Sequence, residues 1–269
     1  MDKLRFFSLG SGSSGNCYFF GNQTQGILVD AGIGSRLIRK ALRLEGYEFS
    51  QILGLFITHD HQDHIKAAGT LAERFGIPVF ATSKTHAGMD NSYRMTQKLS
   101  TLSKHYLEHG ESMQLGDFTV DSFAVSHDGT DNGGFFIQYK HHRILVATDL
   151  GCVNEALEGF LKQATIAIFE ANYDSEMLRD GTYPYYLKQR IAGEFGHLSN
   201  QVAGAFLAEH WQESLKHIYL CHLSKDNNHP DLALKTIEQY FTQKGIKAGF
   251  DVSISALKRG QAEMVIFEA

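Results

Sequence analysis

The chain has 269 residues, 43% of them hydrophobic and 3 of them proline, which allows a sizeable core and argues against disorder. Its net charge of −5 speaks against a surface coated in basic charge for nucleic acid, although a local basic groove is compatible with it. No apolar run reaches the roughly 18 residues of a membrane helix, and the first apolar run is too short for a secretory signal. The 3 cysteines (Cys17, Cys152, Cys221) lack CxxC spacing, so a reducing cytoplasm is expected rather than a disulfide scaffold.

In chain order, LRFFSLG, NCYFFG and GILVDAG read as strands joined by tight turns. SRLIRKALRLEG reads as an amphipathic helix with Leu37, Ala41 and Leu44 on one face. LGLFITH is a buried strand, DHIKAAGTLAERFG a helix closed by Gly76, and PVFAT another strand. A polar stretch with no clear period follows. FTVDSFAVSH, GFFIQY, RILVATD and TIAIFEAN read as strands, and YPYYLKQRIAGEF and NQVAGAFLAEHW as helices. HIYLCH is a strand, DLALKTIEQYFTQKG a helix, and FDVSIS and MVIFEA short closing strands. Nothing marks a linker, so residues 1–269 are expected to form a single domain, an α/β architecture of mixed sheets with helices outside.

One construction recurs five times. ILVD ends in Asp30, LFITH in His59, FAVSH in His127, ILVATD in Asp149 and IYLCH in His222. A single polar strand end is the ordinary start of a loop. Five such ends, all His or Asp, would bring metal-ligating groups to one sheet edge. His59 and His61 are two apart, so extended backbone points them to one side, while Asp63 and His64 lie on the turn into a helix. Imidazole and carboxylate suit Zn²⁺, and Mn²⁺ or Fe²⁺ less selectively, and the lack of cysteine argues against a purely structural zinc.

The motif His59-x-His61-x-Asp63-His64, with Asp30 before it and His127, Asp149 and His222 after it, resembles the metallo-β-lactamase superfamily. The resemblance implies an αββα sandwich with two divalent metal ions at one edge. His59, His61 and His127 would hold one ion, Asp63, His64 and His222 the other, and Asp149 would bridge. Asp30 would support the histidine loop from behind. An aspartate at 149 and the absence of a signal point away from the secreted antibiotic-hydrolysing members and toward the thioesterase and nuclease branches.

FEANYD, with Glu170, Asn172 and Asp174, and GHLSN, residues 196–200, are similar to the EAT and GHST pair of ribonuclease Z. That likeness implies that His197 stabilises the scissile phosphate or protonates the leaving oxygen, oriented by Glu170. A helix cap bearing a solvated histidine is the rival reading of GHLSN. Together with SLGSGSSGN, VDAG, SHD, ATDLG, YPYYLKQRIAGEFGHLSN and LCHLS, these segments resemble most closely the YycJ/WalJ (VicX) family. The family is nuclease-like, acts on DNA and is associated with a cell-wall two-component regulatory system. The implied activity is a DNA exonuclease that uses a two-metal-activated hydroxide, with Asp63 directing it. There is no room between Asp149 and His222 for a large substrate clamp, which favours simple polynucleotide ends over long structured RNA.

The loop GSGSSGN could cradle a phosphate through Ser13, Ser14 and Asn16, or be a hairpin turn that needs positive φ. Tyr183, Tyr185, Tyr186, Lys188 and Arg190 could stack bases and hold phosphates, or form an ordinary amphipathic helix with a tyrosine packing face. Asn172 and Ser199 complete the substrate-binding candidates. The remaining histidines, among them His141 and His142 at a hairpin turn, read as surface or structural. The alternatives to a nuclease are a small-molecule hydrolase, such as a cyclic phosphodiesterase or a glyoxalase II-like thioesterase, and a regulatory protein acting through binding. No membrane partner is implied, and no oligomeric state.

Overall fold

The structure, a computed structural model, describes residues 3–260 and 262–267. Strands β1 (Leu4–Gly10), β2 (Cys17–Gly21), β3 (Gly26–Val29), β4 (Ile52–Phe56), β5 (Val79–Ala81) and β6 (Lys104–Tyr106) form one sheet in that order. Strands β7 (Ser112–Leu115), β8 (Phe118–Ala124), β9 (Gly133–Tyr139), β10 (His142–Ala147), β11 (Ile166–Glu170), β12 (His217–Cys221) and β13 (Ser253–Ala256) form a second sheet, also in chain order. The last strand, β14 (Glu263–Phe267), returns to pair antiparallel with β1. From β3 to β6 and from β10 to β13 the pairing is parallel; the remaining ladders are antiparallel.

Alternation within the strands explains the layers. On β4, Leu55 faces an outer cluster while Phe56 faces the cluster between the sheets. On β11, Ala167 and Phe169 turn outward to helices, and Ile166 and Ile168 turn inward. Phe6, Tyr18, Phe20, Phe56 and Phe135 fill the inter-sheet core; each such buried aromatic contributes roughly 1.5–3 kcal/mol. Helices α1 (Ser35–Leu44), α3 (Ala68–Phe75) and α4 (Ser83–Asn91) cover the first sheet; between α1 and α3 lies the short α2 (Gln62–Ile65). Helix α5 (Glu155–Leu161) covers the second sheet, as do α8 (Asn200–His210) and α9 (Pro230–Gln243). The short α6 (Ser175–Asp180) and α7 (Tyr185–Ile191) lie between β11 and α8. The result is the αββα sandwich of two mixed sheets.

Several local expectations are corrected. In α1 the buried residues are Ile38 and Leu42, whereas Leu37 and Leu44 are 60% and 74% exposed. Both stripes have helical spacing, and the stripe that meets the sheet is the one carrying Ile38. The helix expected over 63–76 is broken. It halts after Ile65 and restarts at Ala68, because Ala67 donates its N–H to Ala31 O at 2.8 Å instead of continuing the helical ladder. The ladder of β4 stops at Phe56, three residues before His59, and that of β8 at Ala124, three before His127. The unreadable stretch holds α4, β6 and β7. Helices α5 and α6 start at the side-chain caps Asn154 and Asp174. Residues 268 and 269 of the closing strand lie outside the described residues. No helix among the described residues is long and apolar enough to cross a membrane.

Candidate metal centre

The C-terminal ends of β3, β4, β8, β10, β11 and β12 meet at one edge of the sandwich. Asp30 follows β3 with φ 61°, and His222 follows β12 with φ 54°. Left-handed backbone at non-glycine residues costs energy, and it recurs where a site needs side chains aimed a particular way. Asp30 is fully buried. Its Oδ1 accepts from Thr58 N at 2.9 Å and its Oδ2 lies 2.7 Å from His64 Nδ1. This ties the turn after β4 to β3 and points His64 Nε2 into the cluster. Gly32 permits the approach, since a Cβ there would stand 1.6 Å from Asp63 O.

Four overlapping groups of donors have their ligand atoms within 4.8 Å of one another. One is His59, His61 and His127; another is Asp63, His64 and His222. The third joins His59, His64 and Asp149, and the fourth Asp149, Glu170, His197 and His222. Asp149 stands between the first two sets. Its Oδ1 is 3.7 Å from His127 Nε2, and its Oδ2 is 3.3 Å from His64 Nε2. His59 Nε2, Asp149 Oδ2 and His222 Nε2 are buried without a hydrogen-bond partner. Each belongs to one or more of these groups, and such orphaned atoms are what bound cations would satisfy. The donor set of imidazoles and carboxylates suits divalent metal ions.

The other ring nitrogens are engaged by the surrounding structure. His127 Nδ1 is 2.8 Å from Gly196 O, and His59 Nδ1 is 3.0 Å from Thr58 Oγ1. His222 Nδ1 lies 3.0 Å from both Glu170 Oε1 and Asp149 Oδ1. Glu170 is fully buried at the end of β11. Its Oε1 also faces His197 Nδ1 at 2.7 Å, and its Oε2 accepts from Leu150 N and Leu198 N. The electrostatics follow from this crowding. Burial pushes His59 well below the usual imidazole range and His127 below it. Burial also works against charge on His64, but Asp30, Asp149 and Asp63 outweigh it and hold the ring up to about 9. His222 is likewise raised, by Asp149 against burial, and Asp149 is held well down by His222 and His64 despite its burial.

Sequence reasoning missed several supports. Asp128, directly after His127, lies 3.5 Å from His61 Nε2 and 3.4 Å from His127 Nε2 and binds Arg190. A carboxylate beside a candidate ligand was the available signal. Asp60 accepts from Thr130 N and Oγ1, tying the histidine turn to the loop after β8. Ser11 Oγ accepts from His222 N at 3.0 Å. Backbone acceptors such as Gly196 O leave no signal in residue identities.

A cleft of about 670 Å³ opens in front of the cluster, with Asp63 and His61 in its lining and Lys66, Arg94 and Arg190 around them. Of the substrate-binding candidates, Ser13, Ser14 and Arg190 line it. The other four do not. Asn16 is fully buried, bonding Gly12 and lying 3.0 Å from His64 Nε2. Asn172 donates to His222 O, and Ser199 caps α8. Lys188 donates to Arg179 O and lines a separate groove. The rival tyrosine packing face is absent, since α7 buries no residue and Tyr185 and Tyr186 are 74% and 72% exposed.

Fold and site together define a metallo-β-lactamase-fold protein with a His/Asp centre built for divalent metal. A family model described as a beta-lactamase superfamily domain matches residues 25–216. An exodeoxyribonuclease YycJ of Bacillus anthracis is 35% identical over 91% of this chain and 92% of its own. An exodeoxyribonuclease WalJ of Streptococcus pneumoniae is 34% identical over 93% of each. The metallo-β-lactamase fold protein YhfI of Bacillus subtilis superposes with a TM-score of 0.72 at 18% identity, over 98% of this chain and all of that one. The chain belongs to the metallo-β-lactamase superfamily and, within it, to the YycJ/WalJ family.

Proposed function

We propose that the chain is a metal-dependent nuclease, acting on DNA as an exonuclease, and that residues 1–269 work as one metallo-β-lactamase-fold domain. His59, His61 and His127 would hold one divalent ion, Asp63, His64 and His222 a second, and Asp149 would bridge them, with zinc or manganese best suited to these donors. When bound, such ions polarise a phosphodiester and supply a nucleophile from water at neutral pH. The protein's own groups do the rest. Asp30 and Glu170 orient the imidazoles. His197, with Nδ1 against Glu170, keeps Nε2 for the substrate, where it would stabilise the phosphate or protonate the leaving oxygen. Asp63, partly exposed at the cleft floor, is placed to direct the nucleophile.

The observation that carries this reading is the 2.7 Å contact between His197 and Glu170 beside the donor cluster, where His197 lines a small pocket that shares Arg190 with the open cleft flanked by cations. An exposed, charged cleft favours a polyanion over a small thioester. The names of the relatives, both exodeoxyribonucleases, support DNA. The test is degradation of 5′-labelled, 3′-labelled and circular DNA and RNA by metal-stripped protein given Mn²⁺ or Zn²⁺. Loss of cleavage in both Asp63→Ala and His197→Ala is expected. Circular DNA cut as fast as linear would overturn exonuclease action, and His197→Ala with full turnover would overturn that residue's role.

A further inference from the structure

Helix α1 carries Arg36, Arg39, Lys40 and Arg43 in ten residues and no acid. Its apolar stripe of Ile38 and Leu42 is spent on the core, so the cations stand on the outward side. Positions 36, 39 and 40, and 43 are one helical turn apart, making a single stripe of roughly 10 Å at 1.5 Å per residue. These side chains and Leu44 line a groove of about 390 Å³. Arg39 lies 5.6 Å over the Phe75 ring, and its Nε is buried without a hydrogen-bond partner. Of the four, Arg43 has an acid partner, Glu48 at 2.8 Å. In a chain of net charge −5 this is a local basic field, and Arg36 and Lys40 in it have no acid partner among the described residues.

The stripe begins close in sequence to the catalytic edge, and the two grooves share no lining residue. Gly32 lines the main cleft, and Arg36 follows it by four residues through Gly34, the N-cap of α1. Lys66 of the same cleft precedes Ala67, which is bonded to Ala31. A stripe of about 10 Å matches about three base-pair rises of 3.4 Å along a duplex axis. We propose that α1 is a second nucleic-acid-binding site, holding the phosphate backbone of a strand whose end lies in the cleft. This rests on the nuclease reading above and adds to it a grip on polymer outside the metal centre. A lipid surface fits less well, because Ile38 and Leu42 of α1 are buried in the core, which leaves two large apolar side chains of the helix, Leu37 and Leu44, exposed to enter a membrane.

The test compares Arg36→Gln/Lys40→Gln with Lys235→Gln/Lys247→Gln, which removes two exposed charges elsewhere. Each is assayed on a 20-nucleotide and a 3-nucleotide labelled DNA strand at several salt concentrations. Neutralising two phosphate contacts should weaken 20-mer binding by a factor on the order of tens near 0.1 M salt and lower the salt slope by about two. Turnover of the 3-mer should not change, and the control pair should behave as wild type. An unchanged 20-mer KM and slope with cleavage intact would overturn the α1 site and leave the nuclease reading standing. An equal loss in the control pair would reduce the effect to net charge and overturn it as well. Wild type that cleaves neither strand would sink the nuclease reading and this site with it. Binding to phosphatidylserine vesicles that the α1 pair abolishes, with 20-mer binding unaffected, would reassign the stripe to a lipid surface.

Discussion

Asp30 Oδ2 sits 2.7 Å from His64 Nδ1 at a backbone φ of 61°, so a strained residue that touches no substrate sets the direction of a donor. Asparagine tolerates this conformation and can still accept from Thr58 N, but its amide nitrogen cannot accept from His64. Asp30→Asn should therefore keep the fold and lower metal affinity about 10–100-fold. Chelator competition for the metal, alongside circular dichroism, checks both halves. Unchanged affinity would mean that the Thr58 contacts alone hold the turn.

Glu170 serves two rings with one oxygen, Oε1, while Oε2 is fixed by Leu150 N and Leu198 N. Glu170→Gln should disturb His197 and His222 together, lowering both turnover and metal retention. His197→Ala should lower kcat by about 10²–10⁴ if the ring acts in proton transfer, with metal per chain unaltered. Elemental analysis of the two variants separates the cases. If His197→Ala also emptied the site, the residue would be a ligand rather than a partner of the substrate.

The site was legible because its groups interrupt apolar runs. Asp30, Asp149 and His222 follow strands whose burial is plain from Ile, Leu and Val; Asp149 and His222 reach the cluster, and Asp30 holds His64 from behind. What escaped depends on contacts between distant backbones. Gly196 O on His127 and Ser11 Oγ on His222 N are set by loop geometry, not by residue type. The face of α1 was ambiguous for another reason. Leu37 and Leu44 satisfy the same period as Ile38 and Leu42, and only the sheet beneath decides between them. The substrate-binding candidates divided likewise. Side-chain chemistry named Asn16, Asn172 and Lys188, but their bonds are spent inside the protein.

Metal binding should compete with protons. In the metal-free protein His64 is held up to about 9 by the carboxylates around it, and His222 is also raised. Near pH 7 both rings carry protons that a metal must displace. Affinity should rise with pH from about 6.5, the free imidazole value, toward 9. Titration calorimetry in buffers of different ionisation enthalpy should show proton release. The stability of the metal-free protein should move the opposite way. A raised folded pKa stabilises fully below the unfolded value, and that contribution is lost as pH climbs through the folded one. Metal-free protein melting at one temperature from pH 6.5 to 9 would contradict this linkage.

Gly196→Ala tests the packing beneath the centre. A Cβ at 196 would stand 2.2 Å from Ile191 O and 2.3 Å from Arg190 O, both backbone atoms that cannot swing aside. Relief requires the 196–200 loop to move away from the end of α7. Gly196 O would then leave His127 Nδ1, and His197 would shift from Glu170. The expected cost is on the order of 2–4 kcal/mol of unfolding free energy in urea. The set of His59, His61 and His127 should weaken most, because it loses the bond that orients His127, whereas Asp63, His64 and His222 keep Asp30 behind them. Metal titration of the variant should thus separate a weakened step from a preserved one. Equal weakening of both steps would mean that the loop supports the whole edge rather than His127 alone.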